Sequence, residues 1–248
     1  MALSRDDRYA FVTRESADDL AVFDLDRALH GGFGPKDYVG SVPLGVAPVG
    51  LAVASSGHWV YVTSQARTPQ VSVGPGASRR VRPRPGNGIM SVIDVRRAES
   101  KPAAAVVSTV RAGSTPTRVA VSSNGSTVWV TARGSDTLLA FSAAKLLSDP
   151  HHARVAQVSV GPAPVGLVLI DHARVVVANS NRFSGSGSCG SLSVIDASAA
   201  LAGRPATLGV IAAGQFPRQL AFEPGRHELL VTNYASAQLE AVDLATVP

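Results

Sequence analysis

Apolar residues along this chain come in short runs, and polar turn residues separate the runs at close intervals. One run is "GLAVA" at residues 50–54, followed by the polar "SSGH" and then by "WVYVT". The same order returns as "RVAVS", "SNGS", "TVWVT", as "GLVLI", "DHA", "RVVVA", and as "QLAFE", "PGRH", "ELLVT". A third run follows each time and ends mostly in aspartate: "MSVID" at Asp94, "LSVID" at Asp196 and "LEAVD" at Asp243, with "LLAFS" at Ser142 as the variant. A fourth run, such as "VAQVSVG", leads back to the start of the pattern. Short runs rich in Val, Leu, Ile and Ala, bounded by Gly, Pro, Ser, Asn or Asp, predict strands joined by turns. Their nearly continuous apolar character predicts sheets buried on both faces.

A glycine with a proline three residues later opens each repeat, at Gly45/Pro48, Gly113/Pro116, Gly161/Pro164 and Gly214/Pro217. The glycines are spaced by 68, 48 and 53 residues. Four strands in about 45 residues are the unit of a propeller blade. One insertion, residues 66–87, accounts for the long spacing and falls between a second and a third strand. The prediction is a single all-β domain over residues 1–248, a β-propeller of four-stranded antiparallel blades. About five blades are present, near residues 1–45, 46–113, 114–161, 162–214 and 215–248. Their innermost strands are expected at 51–54, 119–122, 167–170 and 220–223. Helix is confined to short pieces after the third strand, at "DRALH", "RRAES", "SAAKLL" and "SAALAG". Each leading glycine is expected to adopt a backbone conformation that other residues avoid. Each proline stiffens the lead-in where no ladder N–H is needed. Asp24, Asp94, Asp196 and Asp243 are expected to cap turns.

These residues resemble the YVTN-type β-propeller repeat of the lactonase-like and YncE-like proteins. The tetrapeptide stands here as Tyr61-Val62-Thr63-Ser64 and Trp129-Val130-Thr131-Ala132, and in part as Val177-Ala178-Asn179 and Val231-Thr232-Asn233. The resemblance covers essentially the whole chain. It implies a seven-bladed ring of the kind common in extracytoplasmic bacterial proteins, some of them lactonases and others binding proteins. "ALSRDDRYAFVT" at the N-terminus aligns without a gap on "AVASSGHWVYVT". Met1 therefore falls inside the first strand of a blade, and "LEAVDLATVP" stops after a third strand. Five blades closing a small ring fit this, and so does an arc of a seven-bladed ring; the arc is the expectation, and with it uncovered apolar blade faces. An extracytoplasmic site goes with a truncated N-terminus, a cytoplasmic one with a genuine start.

Composition narrows the partners. The formal net charge is +5, and the positive charge is nearly all arginine, with lysine only at Lys36, Lys101 and Lys145. A mild basic excess permits contact with polyanions without requiring it. The insertion carries Arg79, Arg80, Arg82 and Arg84 among Pro and Gly, with no interleaved aromatics to stack on bases, so nucleic acid is not the expected partner. Its composition predicts a poorly ordered, dispensable loop. No run of 18 apolar residues exists, so no membrane span is expected. The one cysteine, Cys189, allows no internal disulfide.

Candidate chemistry sits at the mouth of the propeller channel, on the face that bears the insertion. Arg118 and Arg218 follow the leading prolines there, and the loops after the second strands carry Arg67, Arg133, Asn181, Arg182 and Tyr234. Converging arginines suit an anionic or carbonyl-rich ligand, a small molecule or a protein. Arg118, Arg218, Arg133, Asn181, Arg182 and Tyr234 are the candidate ligand-binding residues. No cofactor, metal or catalytic residue is assigned. A lactonase also needs a group to activate water, and the nearest carboxylates on this face are Glu15, Asp18, Asp19 and Asp136. His30, His58, His151, His152, His172 and His227 fall on the opposite face, the His151-His152 pair with Asp149 as its only close acid. Gly185-Ser-Gly-Ser-Cys-Gly190 fits a dinucleotide fingerprint in spelling only, since a strand and not a helix follows it. A ligand-binding propeller and a lactonase-like hydrolase thus remain the two readings, separable by whether a carboxylate or histidine reaches the arginines.

Overall fold

The computed structural model describes residues 1–66, 88–171, 173–185 and 187–246. It is an all-β, propeller-like fold of about five blades, each a separate antiparallel sheet. The first sheet comprises β1 (Ala2–Leu3), β2 (Tyr9–Arg14), β3 (Asp19–Asp24) and β4 (Tyr38–Pro43). The second comprises β5 (Val46–Val53), β6 (Trp59–Ala66), β7 (Ile89–Asp94) and β8 (Val106–Arg111). The third comprises β9 (Pro116–Val121), β10 (Thr127–Ala132), β11 (Thr137–Ser142) and β12 (Arg154–Ser159). The fourth comprises β13 (Pro164–Ile170), β14 (Arg174–Asn179), β15 (Cys189–Asp196) and β16 (Thr207–Gln215). The fifth has three strands, β17 (Pro217–Glu223), β18 (Glu228–Asn233) and β19 (Gln238–Asp243). In each sheet the strands pair in chain order.

The apolar runs are continuous because each sheet is packed on both faces. Val60, Val62 and Ile93 pack with Phe11, Leu20 and Val22 of the first sheet. Tyr61, Met90 and Val92, on the alternate positions, pack with Val128, Val130 and Phe141 of the third. Trp129 and Leu138 then meet Val175 and Val177, and Val176 and Val194 meet Leu229 and Val231. The fifth sheet has one packed face, and on the other Leu239 is 67% exposed. The inner strands β5, β9, β13 and β17 stand side by side along the axis. Among the described residues no comparable strand packing joins the first sheet to the fifth.

Two expectations are corrected. The inner strands begin earlier than their apolar runs, with Pro48 paired to Ser64, Pro116 to Ala132, Pro164 to Asn179 and Pro217 to Asn233. A register shift follows each of these prolines. The left-handed backbone also falls elsewhere. Of the four leading glycines only Gly113 has a positive φ, 79°. The residue just before each proline takes that conformation instead: Ala47 at 53°, Thr115 at 50°, Ala163 at 51° and Phe216 at 53°. Gly161 and Gly214 are needed for space, because a Cβ there would meet the Asn179 or Asn233 side chain at 2.6 Å.

The capping residues do more than close turns. Asp24, Asp94, Ser142 and Asp196 each accept the backbone N–H three residues on and so start the short helices α1 (Leu25–Gly31), α2 (Val95–Ser100), α3 (Ala143–Ser148) and α4 (Ala197–Leu201). Asp243 accepts from Ala245 in an Asx-type turn. Residues 67–87 of the insertion, and with them the expectation that it is poorly ordered and dispensable, lie outside the described residues, as does His172.

Candidate anion pocket at the channel mouth

The register shift after three of the four prolines goes with one inner-strand N–H bonded to a threonine of the second strand; in the fourth blade that position is Ala178. Thr63 Oγ1 accepts from Gly50, Thr131 Oγ1 from Arg118 and Thr232 Oγ1 from Gln219, each at 3.1 Å. Thr131 also donates to the Val165 carbonyl of the next blade at 2.8 Å, and Thr13 donates to Val49 at 3.3 Å. The threonines thereby set the height of the inner strands at the channel mouth. A second recurring bond sets the loops above them. The backbone N–H of Arg133 donates to Thr115, that of Ser180 to Ala163 and that of Tyr234 to Phe216, at 2.9 to 3.1 Å. The acceptor in each case is the left-handed residue before the proline.

That shared backbone carries different side chains. At the equivalent position the blades present Glu15, Gln65, Arg133, Ser180 and Tyr234. Four of them line one cavity of about 280 Å³ with Val49, Thr117, Arg118, Val165, Arg182, Phe216 and Arg218. Of the six candidate ligand residues, five meet there: Arg118, Arg133, Arg182, Arg218 and Tyr234. Asn181 does not line it. Its side-chain amide donates to the Cys189 carbonyl and its Oδ1 accepts from Ser184, so it organises its own loop. Gln65 and Phe216 were not singled out by the sequence pattern. Writing the repeats in register would have exposed Gln65 as the counterpart of Arg133.

The arginines are held by neutral groups. Arg118 Nε donates to Gln219 Oε1 at 3.4 Å, from the third blade to the fifth. Arg133 Nη2 donates to Gln65 Oε1 at 3.3 Å, and Gln65 Nε2 donates to Glu15 Oε1 at 3.5 Å. Arg182 lies 5.0 Å over the Phe216 ring and Arg218 lies 5.3 Å over Tyr234, contacts typical of cation–π pairs. Phe216 and Tyr234 meet edge-on at 5.4 Å. Burial, and then the nearby Arg218 charge, push the Arg118 guanidinium below its ordinary range. Burial and Arg182 do the same to Arg133, against the opposing pull of Glu15. None of the four is within ion-pair distance of a carboxylate among the described residues.

The other acids of this face are engaged structurally. Asp18 Oδ1 accepts the Ala47 N–H and Asp136 Oδ1 accepts the Ala163 N–H, both at 2.8 Å. Asp19 is held by Arg14 Nε at 2.7 Å. Glu15 alone among them lines the cavity. At the other end of the inner strands His227 and Asp171 line a separate cavity, 4.0 Å apart. His152 Nδ1 lies 3.0 Å from Asp149 and His30 Nδ1 3.4 Å from Asp26, away from the arginines.

No protein-family model and no curated protein sequence matches the chain. Solved structures do. Hydrazine synthase of Kuenenia stuttgartiensis superposes with a TM-score of 0.66 at 17% identity, over 93% of this chain and 53% of that one. A functionally unknown protein from Desulfotomaculum acetoxidans gives 0.63 at 12%, over 97% and 67%. A "putative 6-phosphogluconolactonase" from Bacteroides fragilis gives 0.69 at 11%, over 99% and 67%. The chain thus spans 53 to 67% of the length of these neighbours. At such identities the likeness concerns architecture, and what the chain shares with them is the propeller-type fold.

Proposed function

We propose that this chain is a binding propeller of the YVTN type whose ligand is an anion seated at the insertion-bearing mouth of the channel. The observation that carries this reading is the gathering of Arg118, Arg133, Arg182 and Arg218 on one cavity, with Glu15 as its one lining carboxylate among the described residues. Holding like charges together costs free energy that an anionic ligand recovers through charge-assisted hydrogen bonds. Phe216 and Tyr234 fix two of the guanidiniums from behind, which lowers the ordering cost on binding. The variety at one repeat-equivalent position supports a specific ligand, because a purely architectural position needs no such change from blade to blade. Thermal unfolding in sulfate, succinate and glycerol 3-phosphate tests it. A ligand at a hundred times its Kd adds about 2.7 kcal/mol, which raises Tm by roughly 5–10 °C in a chain of this size. The rise is expected in the native protein and should be about half as large in Arg118→Gln at the same ligand concentration. Equal responses in both would overturn the reading.

Glu15 supports a second reading, a lactonase-like hydrolase acting on a sugar lactone. Its carboxylate is joined to Arg133 through Gln65, which sets a candidate base beside a candidate carbonyl polariser. Release of acid from glucono-1,5-lactone, followed in a pH-stat, decides between the two. Hydrolysis lost in Glu15→Gln favours the hydrolase; turnover no faster than in buffer removes it.

A further inference from the structure

The manner in which the four guanidiniums are held indicates how many anionic groups the ligand carries; this inference rests on the anion-binding reading above. Arg118 and Arg218, from β9 and β17, form one pair: Arg118 Nε is bonded to Gln219, the residue next to Arg218, and both arginines line the cavity. Arg133 and Arg182 form the other, on the loops after β10 and β14 of adjacent blades, and both line the same cavity. The pairs are built alike. One member is half-buried and hydrogen-bonded to a glutamine oxygen: Arg118 to Gln219, Arg133 to Gln65. The other is exposed and laid on an aromatic ring: Arg218 on Tyr234, Arg182 on Phe216. A guanidinium has five N–H donors in a planar fork that matches a carboxylate or a phosphate. Each pair can therefore take one anionic group.

The cavity limits size. About 280 Å³ is the liquid volume of roughly nine waters and sits at the lower edge of ligand pockets, the size of a small organic acid. Among the described residues four arginines against Glu15 give the lining a net charge of +3, so two negative charges enter without reversing it. We propose that the pocket takes a small organic acid with two separate anionic groups, one on Arg118 and Arg218 and the other on Arg133 and Arg182. Glu15, with Gln65 on one oxygen, is placed to accept a hydroxyl of the same molecule.

Two chemistries share this description, a dicarboxylate and a phosphorylated carboxylate. Isothermal titration of the full chain at low ionic strength compares succinate and 3-phosphoglycerate with butyrate, which has one anionic group, and glycerol 3-phosphate, whose charge is on one centre. At least one of the first two should bind tenfold or more tightly than both of the others, and which one does identifies the chemistry. Arg118→Gln and Arg182→Gln, one from each pair, should each weaken it about tenfold. Arg182 is exposed, so its variant reads the pocket without disturbing the core. If butyrate or glycerol 3-phosphate binds as tightly as the two-group acids and both variants weaken it, the two-group inference fails and the anion pocket stands. If no probe binds, or binding ignores both substitutions, the anion-pocket reading fails with it.

Discussion

Asp136 and Ala163 stand in adjacent blades, and the Asp136 carboxylate accepts the Ala163 backbone N–H at 2.8 Å. Asp18 holds Ala47 in the same way at the boundary between the first and second blades. Both acceptors serve left-handed residues that precede a proline. Such a backbone persists only where its surroundings over-determine it. Asp136→Ala should therefore cost about 1.5–3 kcal/mol, the usual worth of a hydrogen bond to a charged group. Urea unfolding should show a lower midpoint at an unchanged slope. A midpoint equal to that of the native protein would mean that the proline and the Ser180 N–H hold Ala163 on their own.

Gly166 lies where two inner strands nearly touch. A Cβ there would stand 2.5 Å from the Arg218 carbonyl oxygen. Gly166→Ala must push β17 away from β13, and overpacking of this kind costs about 1–3 kcal/mol. Because Arg218 moves with that carbonyl, anion binding should weaken as well. Binding left at its native strength beside a clear loss of stability would show that the Arg218 side chain is positioned by Tyr234 and not by its strand.

Asp19 gives a pH signature. The hydrogen bond from Arg14, with a further one from Ser41, holds its carboxyl below the ordinary range against the opposing effect of burial. A carboxylate lowered in the folded state contributes stability above its unfolded pKa of about 3.9 and loses that contribution as pH falls through the folded value. The stability difference between the native protein and Asp19→Asn should hold steady above about pH 5 and shrink below pH 4. A difference that does not change down to pH 2.5 would show that the Arg14 contact adds nothing to the fold.

The architecture was legible because a blade buries both faces. Val60, Tyr61 and Val62 cannot alternate apolar and polar when one side meets Phe11 and the other Phe141. The short helices were legible as pieces after each third strand, but Asp94 and Asp196 read as turn-closing residues, and that they cap those helices shows only in the structure. Less could be read of the channel mouth. Arg118 and Arg218 reach it because the repeat carries their height from blade to blade. Asn181 carries the same kind of label in the sequence, yet its amide is used by Cys189. Phe216 was not singled out, since neither its left-handed φ nor its place beneath Arg182 leaves a mark on composition. Gly161 read as a conformational residue, because crowding by a side chain 18 residues away has no local signature.

Thr131 links the fold to the pocket. Its hydroxyl accepts the Arg118 N–H at 3.1 Å and donates to the Val165 carbonyl at 2.8 Å, and it is fully buried. Both partners line the cavity. Thr131→Val keeps the shape and removes the hydroxyl, which leaves a buried donor and a buried acceptor unpaired across a blade boundary. Each unsatisfied group costs about 1–3 kcal/mol. The two strands should also drift apart at the height where Arg118 projects, so anion binding should fall along with stability. Thr131→Ser restores the hydroxyl at the cost of a methyl group and should recover most of both. Denaturant midpoints and titration of the same three proteins measure the two effects together. If Thr131→Val loses stability and binds anions at full strength, the threonine fastens blades without setting the height of Arg118.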